Sequence, residues 1–157
     1  MNEEQQFLIE ILQTAINRVY REDRFLLHFA DGDRAGLEQA FVFRTGIYLS
    51  NLLDDTPYAA LDLDSEYNKN HGNAKTSRQF PNGLRPDLII HERDSNNQNK
   101  LVVEFKGYWK RSIWRDIRKL EDLTDPNDNY RYLIGIFVQI GRTEAAFRYF
   151  INGVEHE

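Results

Sequence analysis

Three residues near the middle of the chain have the types and the spacing needed for metal-assisted hydrolysis of a phosphate ester. Asp87 follows a proline, and Glu104 and Lys106 lie two positions apart inside an apolar run. Residues two apart on a β-strand share a face, so Glu104 and Lys106 are expected side by side. Two carboxylates can hold Mg²⁺, which lowers the pKa of a bound water, and a nearby lysine can stabilise the hydroxide that forms. Either half of this pattern alone is better explained by a turn or an exposed strand pair, whereas the combination favours a catalytic site.

Two adjacent strands are needed to bring these residues together. The segments Pro86–Arg93 and Leu101–Gly107 have the apolar, β-prone character of strands, and the linker Asp94–Asn99 consists of turn-forming residues. A hairpin centred on the middle of this linker makes Asp87 a diagonal neighbour of Glu104 on one face. A register slip of one residue would place the two carboxylates on opposite faces.

The rest of the chain predicts an α/β fold. Helical periodicity is expected over Glu3–Tyr20, Arg34–Leu53 and Lys110–Leu123. Further strands are expected over Leu61–Tyr67 and Tyr130–Ile140, and Asn68–Gly83 is expected to be a long loop. The last apolar segment, Ala145–Val154, has the alternation of a strand ending in an Asn-Gly turn, with a helix as the alternative. We therefore expect a single domain, residues 1–157, with a mixed sheet of four or more strands flanked by the second and third helices.

The pair Pro86-Asp87, followed by Glu104-Phe105-Lys106 in a neighbouring apolar strand, resembles the signature of the PD-(D/E)XK nuclease superfamily. The resemblance covers roughly residues 34–140 and includes the order helix, strand, hairpin, helix, strand. Within the superfamily, the chain is similar to small stand-alone bacterial proteins. It implies a restriction-endonuclease-like core with an extra N-terminal helix. It also implies that Asp87 and Glu104 bind Mg²⁺ or Mn²⁺, that the Phe105 carbonyl is a third ligand, and that Lys106 orients or activates the attacking water.

Glu38, on the helix that precedes the predicted sheet, matches an acidic residue that the superfamily often places there. By this resemblance it would complete the site directly or through a metal-bound water. An acidic residue in the first turn of a helix is also favoured by the helix dipole, which is an equally good interpretation of Glu38.

Phosphate contacts are expected from basic residues close to this site, because phosphate recognition requires Lys and Arg. The candidates are Arg44, Lys110, Arg111, Arg115 and Lys119. A salt bridge within the fold is at least as good an interpretation of Arg44, and a solvated charged helix face is the alternative for the others. Trp114 is expected in the buried stripe of its helix, and Lys75, in the long loop, is a further candidate for a substrate contact.

Composition limits the classes of protein that the chain can belong to. There is no cysteine, which excludes disulfides and a Cys-ligated zinc site. The net charge of −5 argues against a protein that coats nucleic acid by bulk electrostatics. The sequence has no apolar run long enough to cross a bilayer and an acidic, polar start, so we expect a cytoplasmic protein without a membrane partner.

Two functions from different classes are compatible with these patterns. The first is a Mg²⁺-dependent endonuclease acting on nucleic acid, with DNA as the expected substrate. The second is a catalytically inactive binding or assembly module that keeps the nuclease-like fold, an alternative motivated by the small size and the net acidity. A homodimer would let two sites cut two strands, but the sequence leaves the oligomeric state open.

Overall fold

A computed structural model describes residues 1–27 and 37–157. Its helices are α1 (Glu3–Glu22), α2 (Leu37–Leu53) and α3 (Trp114–Thr124), with a 3-10 turn at Arg24–Leu27. Its main sheet consists of β1 (Asp62–Ser65), β4 (Leu88–His91), β5 (Leu101–Gly107), β6 (Ile134–Ile140), β7 (Ala145–Ile151) and β8 (Val154–His156). A separate ribbon pairs β2 (Lys69–Asn70) with β3 (Asn73–Ala74). The predicted α/β class with a mixed sheet is confirmed.

The strand order in the sheet is β1-β4-β5-β6-β7-β8. The pair β5–β6 is parallel and the other described pairs are antiparallel. Parallel neighbours need a crossover connection, and α3 supplies it between β5 and β6. The site carried by β5 therefore lies next to a helix that is held against the same sheet.

Two apolar cores lie on the two faces of the sheet, and each packs against different helices. Helices α1 and α2 pack on the face that carries Val103 and Phe105 of β5, and α3 packs on the face that carries Val102. The strand β5 is buried on both faces, which explains its nearly continuous apolar sequence. Since Glu104 shares its face with Val102, its carboxylate points into the layer between the sheet and α3.

Several element boundaries differ from the sequence-based expectation. Helix α3 begins at Trp114 instead of Lys110, so Lys110 and Arg111 lie in the preceding loop. Strand β6 begins at Ile134 instead of Tyr130. The first three residues of the predicted Arg34–Leu53 helix, 34–36, lie outside the described residues, and the described helix covers Leu37–Leu53. The final segment is a strand, as predicted, and continues through an Asn-Gly turn into β8.

The hairpin exists as predicted, but its register differs by two residues. The observed pairs place Leu88 opposite Val103 and Ile90 opposite Leu101. Continuing this register by one residue places Asp87 directly opposite Glu104, whereas the sequence predicted a diagonal relation. A slip of two leaves every side chain on its predicted face because the strand period is two. Asp87 and Glu104 therefore still lie next to each other on the same face of the sheet.

Candidate functional site

The carboxylates of Asp87 and Glu104 lie at the end of the β4–β5 hairpin. The Asp87 side chain accepts a hydrogen bond from the backbone N–H of Phe105, with Oδ2 2.7 Å from the nitrogen. Glu104 is fully buried. One of its oxygens, Oε2, lies 2.7 Å from the ammonium of Lys119, and the other, Oε1, has no hydrogen-bond partner among the described residues. A buried carboxylate oxygen without a donor is energetically costly unless it binds a cation or an ordered water.

Burial and mutual repulsion shift the ionisation of this pair. Burial, followed by the negative charge of Asp87, raises the pKa of Glu104 well above its usual range. Burial raises the pKa of Asp87 to about 6, although its hydrogen bond from Phe105 and the Lys119 charge act in the opposite direction. Raised pKa values are expected where two carboxyl groups lie close together and away from water.

Lys106 is held beside the carboxylates by a residue that the sequence analysis did not select. Its ammonium lies 2.7 Å from Asp116 of α3, and Asp116 lies 3.6 Å from Lys119. Burial lowers the pKa of Lys106, but the hydrogen bond and charge of Asp116 and the charges of Glu38 and Asp87 give a net increase. Lysine and carboxylate therefore alternate in the row Lys106, Asp116, Lys119, Glu104.

The sequence contained a signal for Asp116. It lies four positions before the buried Leu120 and next to the buried Ile117, so helical periodicity places it at the edge of the apolar stripe of α3. An acidic residue on the buried face of a helix requires a partner. Because Asp116 lies within a run of basic residues, the sequence pattern there predicts a cationic surface and no acidic site residue.

Glu38 joins the site from the opposite helix layer. Its Oε2 accepts a hydrogen bond from the backbone N–H of Gly107 at 2.9 Å, and its Oε1 lies 2.8 Å from the ammonium of Lys110. The negative charge of Glu38 also contributes to the raised pKa values of Asp87 and Lys106. The structure thus brings Glu38 together with Asp87, Glu104 and Lys106 at the end of β5.

The candidate phosphate-binding residues fall into two groups. Arg111 and Arg115 are exposed, and Arg115 lines a cleft that Asp87 also lines. Lys110 and Lys119 form ion pairs with Glu38 and Glu104, and the side chain of Lys119 is 12% exposed. Arg44 donates to Asp23 at 3.0 Å and to the Tyr48 hydroxyl at 2.6 Å. The structure therefore shows the fold-internal salt bridge that was the alternative for Arg44.

Two clefts meet at Asp87 and Glu66. The first is lined by Glu38, Gln39, Val42, Phe43 and Ser65 in addition to this pair. The second extends from the pair along the loop before β4 to Arg85, Arg115 and Lys119. The Arg85 side chain lines the second cleft, with its Nε 3.1 Å from the Oε2 atom of Glu66. Asp87 is thus reachable from solvent on a side that also carries cations, and Glu104 is buried behind it.

The donor set is compatible with a magnesium site of the simplest kind. Over the described residues, no group of three or more His, Asp and Glu side chains is arranged to hold a metal ion. Magnesium usually needs fewer protein ligands, because it keeps several waters and is bound by one or two carboxylates plus a substrate phosphate. Asp87, the unsatisfied Oε1 of Glu104 and the Phe105 carbonyl fit this requirement.

Lys75 and Trp114 are both placed differently from the sequence-based expectation. Lys75 is 2% exposed and donates to the Tyr132 hydroxyl at 3.0 Å, within a cage that also includes the rings of Tyr67 and Tyr130. Burial lowers its pKa to about 8. Lys75 is therefore buried in the fold, where it anchors the loop. Trp114, predicted to be buried, is 72% exposed because α3 begins at this residue and its side chain lies outside the apolar stripe.

None of the protein-family models, curated proteins or solved structures compared with this chain matches it. The described helices also include none that is long and apolar enough to span a membrane.

Proposed function

We propose that this chain is a metal-dependent endonuclease that hydrolyses phosphodiester bonds in nucleic acid, with DNA as the expected substrate. The observation that carries the proposal is the fully buried Glu104, with one carboxylate oxygen unsatisfied, opposite Asp87 and two residues from Lys106. Buried carboxylates are usually paired or bound to a metal, and here the pairing is incomplete.

Asp87 and Glu104 would hold Mg²⁺ or Mn²⁺, with the Phe105 carbonyl as a further ligand. When bound, such an ion polarises the phosphoryl group and lowers the pKa of a coordinated water. The residues of the chain then have separate tasks. Lys106, kept cationic by Asp116, orients the water and stabilises negative charge, and Glu38 fixes the end of β5 through its bond to the Gly107 N–H.

A polyanionic substrate fits the charges around the site. The protein as a whole carries a net charge of −5, yet Arg111 and Arg115 are exposed, and Arg115 lines a cleft together with Asp87. Lys119 lines the cleft that leads away from Asp87. These residues would contact the phosphates next to the scissile one, which is how proteins position a nucleic-acid backbone.

The test is cleavage of supercoiled plasmid, linear duplex DNA and single-stranded RNA with Mg²⁺, Mn²⁺ or EDTA. We expect metal-dependent cutting that falls at least about 100-fold in Lys106→Ala and Asp87→Asn, the size of effect typical of general acid–base groups. Lys100→Ala is the matched lysine control, because Lys100 pairs with Glu4 just before the start of β5. Asp62→Asn, on the edge strand β1, is the matched aspartate control.

One observation favours the second candidate, a non-catalytic binding or assembly module. The ion pairs Lys106–Asp116 and Lys119–Glu104 already compensate most of the buried charge without a metal. If calorimetry detects no Mg²⁺ or Mn²⁺ binding and no nucleic acid is cut, the module is the better description. Binding of a protein partner with unchanged affinity in Asp87→Ala would then support it. The homodimer and the cytoplasmic location expected from the sequence stay predictions under either function.

A further inference from the structure

Helix α3 presents an aromatic and cationic surface to solvent next to the proposed site. Trp114 is 72% exposed at the first position of the helix. Arg118, four residues later, lies on the same side of the helix, between Trp114 and Arg115 around the axis. Both arginines are exposed, and we call the set Trp114, Arg115 and Arg118 the α3 surface.

The α3 surface is continuous with the cleft that reaches Asp87. Arg115 lines that cleft together with Asn82 and Gly83, and the same three residues line a neighbouring cleft with Phe80 and Arg118. The Arg115 guanidinium lies 5.5 Å from the centre of the Phe80 ring, and Arg118 donates to the Gln79 side chain at 3.0 Å. Contacts to the loop before β4 thus hold both arginines along one path that starts at the carboxylates.

The chemistry of this surface selects its occupant. Arginines arranged along a path complement a chain of phosphates, and they stand out on a protein whose net charge is −5. An exposed indole supplies a flat face for stacking on a base. In a duplex the faces of the bases are covered by their neighbours, whereas a single strand offers them.

We propose that the α3 surface binds single-stranded nucleic acid, with a base stacked on Trp114 and phosphates on Arg115 and Arg118, and that it directs this strand along the cleft to Asp87. The proposal rests on the proposed function for the cleavage step, but the binding step is independent of it. A single strand, or a single-stranded region at an end or a fork, is then the substrate class of the enzyme.

Binding is measured in EDTA, by fluorescence anisotropy of labelled oligo(dT), oligo(rU) and a duplex of equal length. Wild type is expected to prefer a single strand, and comparison of oligo(dT) with oligo(rU) distinguishes DNA from RNA. Trp114→Ala should weaken single-strand binding roughly 5- to 150-fold, the range expected for loss of one stacked base, and Trp114→Phe should retain most of it. Phe25→Ala is the matched control. Phe25 is an aromatic residue that, like Trp114, is largely exposed (65%), but it lies on the 3-10 turn after α1.

Two further readouts separate this proposal from the nuclease proposal. Arg115→Gln and Arg118→Gln should each reduce the slope of log affinity against log salt by roughly 0.7, the value for one phosphate contact on a single strand. Metal-dependent cleavage with equal binding of duplex and single strand, unchanged in Trp114→Ala, would overturn the α3 surface and leave the nuclease standing. Single-strand binding that depends on Trp114, in a protein that cuts nothing, would support the surface and refute the nuclease.

Discussion

At the scale of single residues, the main feature of this protein is a set of charges in a place that water barely reaches. Glu104 is fully buried, Asp116 is 6% exposed, and the side chain of Lys119 is 12% exposed. Buried charged groups destabilise a fold unless each has a partner of opposite charge. In Glu104 only one of the two carboxylate oxygens has such a partner among the described residues. Substitutions that remove the buried charge of Asp87 should increase stability while they remove function, the trade-off expected of an active site.

Asp87→Asn is expected to stabilise the protein in a pH-dependent way. The pKa of Asp87 is raised from 3.8 to about 6, so folding favours the protonated form. This contribution is fully present below pH 3.8 and is lost as the pH rises through 6. In EDTA, Asp87→Asn should gain up to about 3 kcal/mol in free energy of unfolding at pH 8 and about half of that at pH 5. Urea denaturation at both pH values measures the gain.

The control for this prediction is Asp62→Asn, which removes an aspartate whose side chain is 36% exposed and lies 3.6 Å from Arg93. It should not stabilise the protein at either pH. A variant Asp87→Asn that is no more stable than wild type at pH 8 would mean that the ionised Asp87 is compensated in the folded state.

Lys119→Met is expected to destabilise the protein by about 3 kcal/mol at neutral pH, because it removes the ammonium that lies 2.7 Å from the buried Glu104. The double variant Lys119→Met/Glu104→Gln should recover most of this loss, since no buried charge is then left without its partner. The double-mutant cycle, measured by urea denaturation, gives the coupling between the two residues. Additive effects of the two substitutions would contradict the ion pair.

At the scale of elements, the position of α3 on the sheet decides which side chains meet. The helix crosses from β5 to β6 and packs closely on β6 at Gly135. A methyl group at Gly135 would lie 3.0 Å from Thr124 and 3.2 Å from Leu120, both on α3. Small changes at this contact should therefore move Asp116 and Lys119 relative to the strand that carries Glu104.

Gly135→Ala is expected to destabilise the protein by about 1–3 kcal/mol through overpacking at this contact. Gly46→Ala, in α2, is the matched control, because a methyl group there meets its nearest neighbour, Leu88, at an ordinary 3.6 Å. The control should stabilise by roughly 0.5–1 kcal/mol through helix propensity. Thermal and urea unfolding of both variants provide the comparison, and equal effects would show that α3 has room to shift.

At the scale of the whole molecule, charge is segregated and binding is linked to stability. The net charge is −5, while Arg115 and Arg118 are exposed and line one cleft beside α3. A ligand that binds the folded state alone adds stability in proportion to the logarithm of its concentration over its dissociation constant. Metal binding at the proposed site should therefore appear in the unfolding of the entire chain.

Mg²⁺ or Mn²⁺ at about 100 times its dissociation constant should add about 2.7 kcal/mol, which corresponds to a rise in Tm of roughly 5–10 °C. Removal of the metal with EDTA should reverse the rise. The double variant Asp87→Asn/Glu104→Gln should show no metal-dependent shift, whereas Lys100→Ala should behave as wild type. Equal shifts in wild type and the double variant would place the metal effect elsewhere on the protein.

The amino-acid sequence by itself determined the fold class, α/β with a mixed sheet, and the shared face of Asp87, Glu104 and Lys106 on the hairpin. Apolar runs of period two and 3.6 indicated the strands and helices. Strand alternation placed Glu104 and Lys106 on one face at any hairpin register, and Asp87 shares that face for any slip by an even number. The two-residue error in register was harmless for this reason. Boundaries were less well predicted, as the start of α3 at Trp114 shows, because they depend on which residues the sheet can bury.

Tertiary structure alone decided how the charges are paired. Asp116 reaches Lys106, and Lys119 reaches Glu104, because the crossover helix lies over the end of β5, and no local pattern encodes that placement. The same crossover paired Lys119 with Glu104 at the cleft and left Trp114 in solvent. Periodicity reports which face of an element is buried, whereas the partner of a buried charge depends on elements distant in sequence. The physical reason is that side-chain ion pairs act over a few ångströms in space and are independent of separation along the chain.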